Sequence, residues 1–169
     1  MGSNLGDSRH ILEEALVRLE CALGPLVVAP IYLTEPVSPI PQPPYLNTVA
    51  IGASGLSAER LLALTQQVEL DFGRLRTVPE APRTLDIDLL LLDGEVRAEA
   101  APLLPHPRLR NRRFVLAPLC DVAPDWEIPP DGATACELLR RLPTSPWARR
   151  LPHPSGSADG APQRESEPR

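Results

Sequence analysis

The stretch Leu85-Asp86-Ile87-Asp88-Leu89-Leu90-Leu91-Leu92, bounded by Pro82 in front and Asp93-Gly94 behind, constrains this chain more than any other. Its length and its flanking breakers predict a buried strand rather than a helix. Side chains alternate across a strand, so Asp86 and Asp88 are expected on one face, about 6.6 Å apart at ~3.3 Å rise per residue. Leu85, Ile87, Leu89 and Leu91 fill the other face. Leu90 and Leu92 continue the acidic face into apolar surroundings, which predicts a strand covered on both faces. Two carboxylates on such a strand need a partner or a metal, and like charges this close disfavour each other's ionisation unless a cation neutralises them. Mg²⁺ answers both demands, because it takes oxygen ligands and shares one or two carboxylates with substrate phosphates. Two such ions ~3.5–4 Å apart clamp a transferring phosphoryl group. The plain alternative is that each Asp bonds a neighbouring arginine or lies at the strand's solvated end.

The rest of the composition narrows the class. The chain has 169 residues and a net charge of −5, with 43% hydrophobic and 23% charged residues. That size and balance predict one globular domain with a sizeable core, and the negative charge disfavours wholesale nucleic-acid binding. Every basic side chain apart from histidine is Arg, which removes lysine chemistry and favours planar, bidentate contacts to phosphate. Cys21, Cys120 and Cys136 are far apart and form no CxxC pair, so they are expected as unpaired, buried thiols in a reducing compartment. No apolar stretch is long enough to span a bilayer and no signal peptide opens the sequence, so the expected localisation is cytoplasmic.

In chain order, Gly2-Ser3-Asn4-Leu5-Gly6-Asp7 is a tight-turn sequence, and Asp7 or Ser8 can cap a helix carrying Ile11, Leu12, Ala15, Leu16, Leu19 and Leu23 at helical spacing. Gly24-Pro25 ends it. Leu26 to Thr34 predicts a strand with a bulge or edge at Pro30. The following loop holds Pro36, Pro39, Pro41, Pro43 and Pro44 and is stiff and extended. Tyr45 to Ile51 predicts a second strand with Tyr45, Asn47 and Val49 on one face. Tyr45 and Asn47 there could stack on and hydrogen-bond a planar heterocycle, or form an ordinary sheet-edge pair. Ser57 caps a second helix with Leu61, Leu62, Leu64, Val68 and Leu70 as its stripe, closed by Gly73. Arg74, Arg76 and Arg83 frame the loop that leads into the acidic strand. Helix, strand, strand, helix, strand is the βαββαβ plan short of one leading strand.

Beyond the acidic strand, Arg108, Arg110, Arg112 and Arg113 fall within six residues. In an acidic chain this concentration suggests either a local anion site or a solvated loop. His106, set between two prolines, could donate to a phosphate or be an ordinary loop histidine. Phe114 to Leu119 predicts a short helix, and Thr134 to Leu142 a last one capped by Thr134. From about Pro143 the chain is rich in Pro, Ser, Gly and charge, and 152–169 are expected to be disordered.

Together, Gly2-Ser3-Asn4, Tyr45-Leu46-Asn47, the Arg83-Thr84-Leu85-Asp86-Ile87-Asp88 run, and Pro105-His106 followed by Asn111-Arg112 and Phe114 resemble the 6-hydroxymethyl-7,8-dihydropterin pyrophosphokinases of folate biosynthesis. The resemblance covers about residues 2–130 in order. It implies an ATP-dependent diphosphotransferase that moves the β,γ-pyrophosphoryl group of ATP to the hydroxymethyl oxygen of the dihydropterin and releases AMP. It implies an α+β, ferredoxin-like sandwich over residues 1–150, with an antiparallel sheet and extra C-terminal elements, and a tail over 151–169. By the same likeness Asp86 and Asp88 hold two Mg²⁺ ions on the ATP phosphates. Tyr45 and Phe114 sandwich the pterin, Asn47 reads its amide edge, and Thr34 and Val37 line the pocket. Arg74, Arg83, His106 and Arg112 contact phosphates, Arg110 lies near the nucleotide, and Glu69 sits on the ATP side. Phosphoryl-type transfer needs mainly positioning and charge neutralisation, so no covalent nucleophile is required.

Two departures from the family pattern carry expectations. The family has a strand ahead of its GSN turn, so the sheet is expected to lack its first strand here and the core to be exposed beside it. Between its two ends, the loop Arg76 to Pro82 lacks the arginine and tryptophan that many relatives carry. As the expected lid, it would bring fewer phosphate donors and one less stacking ring. Two other functions remain compatible with the residues: another Mg²⁺-dependent, ATP-using transferase, which would release ADP or pyrophosphate, and a non-catalytic ferredoxin-like ligand-binding module. The expected partners are ATP and the dihydropterin, with no nucleic acid and no membrane, and the expected state is a monomer.

Overall fold

Pro30 divides the first apolar stretch, and the division sets the sheet topology. A computed structural model of the chain describes residues 1–74 and 81–152. In it, Leu26 to Thr34 is two strands, β2 (Leu26–Val28) and β3 (Tyr32–Thr34). The second expected strand is likewise split into β4 (Tyr45–Asn47) and β5 (Ala50–Gly52). Ala29 and Val49 are joined across the break by a backbone hydrogen bond of 2.8 Å. A proline without an N–H cannot carry a ladder through its own position, so one long hairpin becomes two short ones. β2 pairs antiparallel with β5, and β3 pairs antiparallel with β4.

The chain opens on β1 (Gly2–Ser3), a strand of two residues where the sequence predicts a turn. β1 pairs antiparallel with β4, and β8 (Ala148–Arg150) pairs antiparallel with β3, giving the order β1-β4-β3-β8. β8 lies in the Pro-, Ser- and charge-rich stretch after Pro143, where the sequence predicts no strand. It is held by a bond from Leu151 N–H to Ile31 C=O and by Glu35, whose carboxylate accepts the Trp147 N–H.

The helices lie close to their expected bounds. α1 (Ser8–Leu23) is capped by Asp7, and α2 (Ala58–Asp71) by Ser57. α3 (Arg113–Val122) follows a single 3₁₀ turn at Leu109–Asn111, and α4 (Ala135–Arg141) has a complete capping box between Thr134 and Glu137. A small hairpin of β6 (Glu127–Ile128) and β7 (Ala133–Thr134) joins α3 to α4. The result is a mixed α+β architecture with antiparallel sheets. One core gathers Leu12, Ala15, Leu19 and Val68 from α1 and α2 around Leu85 and Ile87. A second packs α3 and α4 through Leu116, Leu119, Ala135 and Leu138.

The acidic stretch differs from the expected strand. Its alternation holds at the start, with Leu85 and Ile87 buried and Asp86 and Asp88 turned outward. Its pairing does not: a bridge joins Gly2 to Asp86, and among the described residues 87–92 form no ladder. The backbone is extended, but β1 offers only Gly2 opposite it. Leu89 to Leu92 are half-buried rather than covered on both faces, and with Met1, Leu19, Val49 and Ile51 they line an apolar cleft of about 160 Å³.

The cysteines also depart from expectation. Cys120 and Cys136 are joined in a disulfide that ties α3 to α4, and Cys21 is exposed. Widely spaced cysteines in a sequence say nothing of distance in space, and the packing of α3 on α4 brings this pair together. Most of the loop expected as a lid, residues 75–80 including Arg76, lies outside the described residues, as do 153–169 of the expected tail. Among the described residues no helix is long and apolar enough to cross a membrane.

Tyr32 pins the sheet to α3 by donating its hydroxyl to Asp121 Oδ2 at 2.8 Å. Burial, aided by this bond, pushes the phenol up from 10.0 to about 12. The fold thus favours the neutral phenol. Its contribution is complete below the unfolded value and is lost as pH rises from about 10 to about 12. Urea midpoints measured across that range are expected to fall steeply for the wild type and less steeply for Tyr32→Phe. Parallel curves would contradict the assignment.

Candidate active site

A buried Leu-x-Ile pair leaves its intervening acids facing outward, and Asp86 and Asp88 emerge in this way from the α1–α2 core. Two backbone bonds of 2.8 Å join Gly2 and Asp86, so the position of Asp86 is set by β1 rather than by a loop. Arg74 Nη1 lies 2.5 Å from Asp86 Oδ1, and Arg83 Nη1 lies 3.2 Å from Asp86 Oδ2. Arg112 Nη1 donates to Asp88 Oδ2 at 3.2 Å, and His106 Nε2 lies 3.9 Å from the same oxygen. The arginine partners that the sequence offered as the plain alternative are therefore present. They are the same residues that were singled out as phosphate ligands.

The cations around the acids are not fully used. Arg83 Nε is buried with no hydrogen-bond partner among the described residues, as is Thr84 Oγ1. A buried donor without an acceptor costs about 1–3 kcal/mol, which an incoming anion would relieve. Burial pulls the Arg83 guanidinium down, but Asp86, Tyr45 and Asp88 together outweigh it and leave its pKa raised. Burial, with the nearby Arg108 charge, lowers Arg112 against the opposing pull of Asp88. Burial also lowers His106 below its usual value despite Asp88. The His106 Nδ1 accepts the Arg108 N–H at 3.1 Å, so the neutral ring carries its proton on Nε2, toward Asp88.

A second cluster adjoins the first. Thr34 and Asn47 are buried side by side on β3 and β4, with Asn47 Nδ2 donating to Thr34 Oγ1 at 2.6 Å. Gly2 makes this possible: a Cβ there would stand 2.5 Å from Asn47 Oδ1. The Arg83 guanidinium lies 5.7 Å from the centre of the half-buried Tyr45 ring, and that of Arg112 lies 5.3 Å from the Phe114 ring. Each ring is thus covered on one face by an arginine that also touches an acid, an arrangement suited to cation–π contact. Val37 is largely exposed on the proline-rich loop.

The structure thus brings Arg74, Arg83, Asp86, Asp88, His106 and Arg112 together, and beside them Thr34, Tyr45 and Asn47. Arg110 is not among them: its guanidinium bonds the carbonyls of Ile128 and Pro129 and the carboxylate of Asp131, at 2.8 Å, on the β6–β7 turn. Arg113 likewise binds the Leu142 and Pro143 carbonyls at the end of α4. Glu69 is interior, 3% exposed. Proximity in sequence made the Arg108–Arg113 group look like one anion site, whereas the 3₁₀ turn and the start of α3 send successive side chains in different directions.

Asn4 and Gln42 were missed as individual residues. Asn4 accepts the Arg83 N–H at 2.9 Å, and its amide donates to Gln42 Oε1 at 3.0 Å and to the Pro43 carbonyl at 3.1 Å. The Tyr45 hydroxyl donates to the same Gln42 oxygen at 2.8 Å. The GSN turn was the available signal, but only the fold shows that its Asn locks the proline-rich loop to the entry of the acidic stretch. Asn4→Ala is expected to cost about 1–3 kcal/mol, since it strands buried partners, and to speed amide exchange at Arg83. An unchanged denaturation midpoint with an equally protected Arg83 amide would refute this role.

Carboxylate oxygens are the right donors for Mg²⁺. Among the described residues no group of three or more His, Cys, Asp and Glu side chains forms a metal cluster. Asp86 and Asp88 thus suit an ion that completes its shell with water and phosphate oxygen.

The family model described as 7,8-dihydro-6-hydroxymethylpterin-pyrophosphokinase (HPPK) matches residues 1–124. Over 145 residues the chain is 38% identical to a 2-amino-4-hydroxy-6-hydroxymethyldihydropteridine pyrophosphokinase of Pseudomonas aeruginosa, a match that covers 85% of this chain and 89% of that protein. A protein of the same name from Bacillus subtilis is 39% identical over 129 residues, covering 75% of this chain and 77% of its own length. One from Synechocystis is 34% identical over 150 residues, covering 87% and 76%.

Proposed function

The chain belongs to the 7,8-dihydro-6-hydroxymethylpterin-pyrophosphokinase family, and from that premise we propose the reaction and the roles of its residues. The protein is a diphosphotransferase of folate biosynthesis that transfers pyrophosphate from ATP to 6-hydroxymethyl-7,8-dihydropterin. The hydroxymethyl oxygen attacks the β-phosphorus, the bond from that phosphorus to the α,β-bridging oxygen breaks, and AMP leaves. The hydroxymethyl proton passes to solvent or to a phosphate oxygen.

The observation that carries the residue assignments is the grouping of Arg74, Arg83, His106 and Arg112 around the Asp86–Asp88 pair, with a buried Arg83 donor left without an acceptor. Asp86 and Asp88 would hold two Mg²⁺ ions. Bound there, the metal supplies charge neutralisation at the triphosphate. The arginines and the His106 Nε2–H, now occupied with the acids, bind phosphate oxygens once the acids have another counter-ion. Tyr45 and Phe114 stack on the pterin, replacing arginine contacts with ring contacts. The Asn47 amide reads the pterin edge from beside Thr34, and Val37 closes the pocket from the proline-rich loop. Arg110 reaches the nucleotide only by leaving Asp131.

The order α1, the antiparallel strands β2 to β5, α2 and the extended acidic stretch supports a ferredoxin-like arrangement for residues 1–150. ATP and the dihydropterin suffice as partners for a cytoplasmic monomer without nucleic acid or membrane.

AMP formation from ATP and Mg²⁺ is expected only when the dihydropterin is present, and is expected to fall about 10²–10³-fold in Asp88→Ala, the scale for removing one preorganised electrostatic group. Formation of ADP in place of AMP, or an unaffected Asp88→Ala, would overturn the assignment.

A further inference from the structure

We propose that Glu69 is a positioning residue that fixes the Asp86–Asp88 pair and keeps Arg74 beside it, without touching either substrate. The proposal rests on the assignment of Asp86 and Asp88 to the metal and phosphate site. Glu69 lies in the last turns of α2 and is 3% exposed. A carboxylate so deeply buried is costly unless charged and polar partners answer it, and two of its partners, Ile87 N–H and Arg74, lead to the acidic stretch. One oxygen, Oε1, accepts the Ile87 N–H at 2.7 Å. The same oxygen pairs with the Arg74 guanidinium, and the Glu69 carbonyl accepts the Arg74 N–H at 3.0 Å.

The reason for this geometry is in the extended backbone. Asp86 directs both its N–H and its C=O to Gly2. In an extended chain the next residue's N–H points the opposite way, and there Ile87 has no strand to meet. Glu69 supplies the missing acceptor. The segment between the two acids is therefore held from both edges, by β1 on one and by the α2 carboxylate on the other. Arg74 adds the second part of the device, since its guanidinium spans Glu69 and Asp86. When Asp86 turns to a metal, Glu69 remains as the anion that keeps Arg74 in reach of the phosphates.

A purely structural acceptor would stabilise the fold and nothing more. A positioning carboxylate also sets how well the acid pair binds a cation, since groups that orient metal ligands are worth about 10–100-fold in metal affinity. The test is Mn²⁺ affinity by electron paramagnetic resonance in the presence of a non-hydrolysable ATP analogue. It is combined with AMP formation as a function of Mg²⁺ and dihydropterin, in wild type, Glu69→Gln and Glu69→Ala. In Glu69→Ala, Mn²⁺ affinity is expected to fall about tenfold or more and the Mg²⁺ concentration for half-maximal rate to rise in parallel. The dihydropterin KM is expected to stay within about twofold, the part of binding this site does not reach. Glu69→Gln keeps an oxygen for Ile87 but loses the charge on Arg74, so it should recover part of the metal affinity and less of kcat. If Glu69→Ala does not fold, Glu69→Gln decides alone: normal Mn²⁺ affinity together with normal kcat overturns the proposal. Equal losses of metal and dihydropterin binding would also overturn it, as the sign of general distortion. Failure of the wild type to bind Mn²⁺ would instead remove the metal-site assignment on which the proposal rests.

Discussion

The backbone pairing of Gly2 with Asp86 is the interaction on which both halves of the site depend. On one edge, its two hydrogen bonds set the first carboxylate. On the other edge Gly2 pairs with Asn47, the residue that faces the proposed pterin pocket. The missing Cβ matters as much as the bonds, because the Asn47 amide oxygen occupies the space a side chain would need. One residue thus fixes the spacing between the acid pair and the amide. Asn4, two positions on, fastens Arg83 and the proline-rich loop to the same turn. Local backbone hydrogen bonds contribute about 1 kcal/mol each to stability. Their larger effect here is to remove freedom from groups that must act together.

Charge compensation follows from that frame. Asp86 faces Arg74 and Arg83, and Asp88 faces Arg112 and His106. In the free chain the acids and the cations pair with one another, while the Arg83 Nε donor is left without an acceptor among the described residues. A magnesium–triphosphate complex carries both signs and can exchange with both sets at once. Arg83 and Arg112 also cover the Tyr45 and Phe114 rings, so their movement toward phosphate would uncover the faces on which a heterocycle stacks. Metal, nucleotide and pterin are coupled in this account through two arginines.

Much of this was legible in the sequence, and the parts that were not have physical causes. Leu85 and Ile87 announced their burial, and Asp86 and Asp88 their outward face, because alternation is a local property of extended chain. Asp7, Ser57 and Thr134 announced three helix starts through their capping side chains. Pairing is not local: nothing in residues 87–92 says that they would form no ladder among the described residues. Pro30 was read as a bulge or an edge, and it separates two ladders. Cys120 and Cys136 were read as free thiols because their meeting depends on how α3 packs on α4. Arg110 and Arg112 look equivalent in the sequence, but the turn at Leu109–Asn111 sends one to Asp131 and the other to Asp88. The family likeness put Glu69 on the ATP side, but nothing in the sequence shows its bond to Ile87 N–H.

Nucleotide affinity of Asp86→Asn, measured by calorimetry with and without Mg²⁺, tests the exchange of counter-ions most directly. Without the metal, Asp86 repels the triphosphate and occupies Arg74 and Arg83, so the substitution is expected to tighten ATP binding. With saturating Mg²⁺ the same substitution removes a proposed metal ligand and is expected to weaken binding about tenfold or more. A reversal of sign between the two conditions is the predicted result. Weakening in both conditions, or no change in either, would contradict the account.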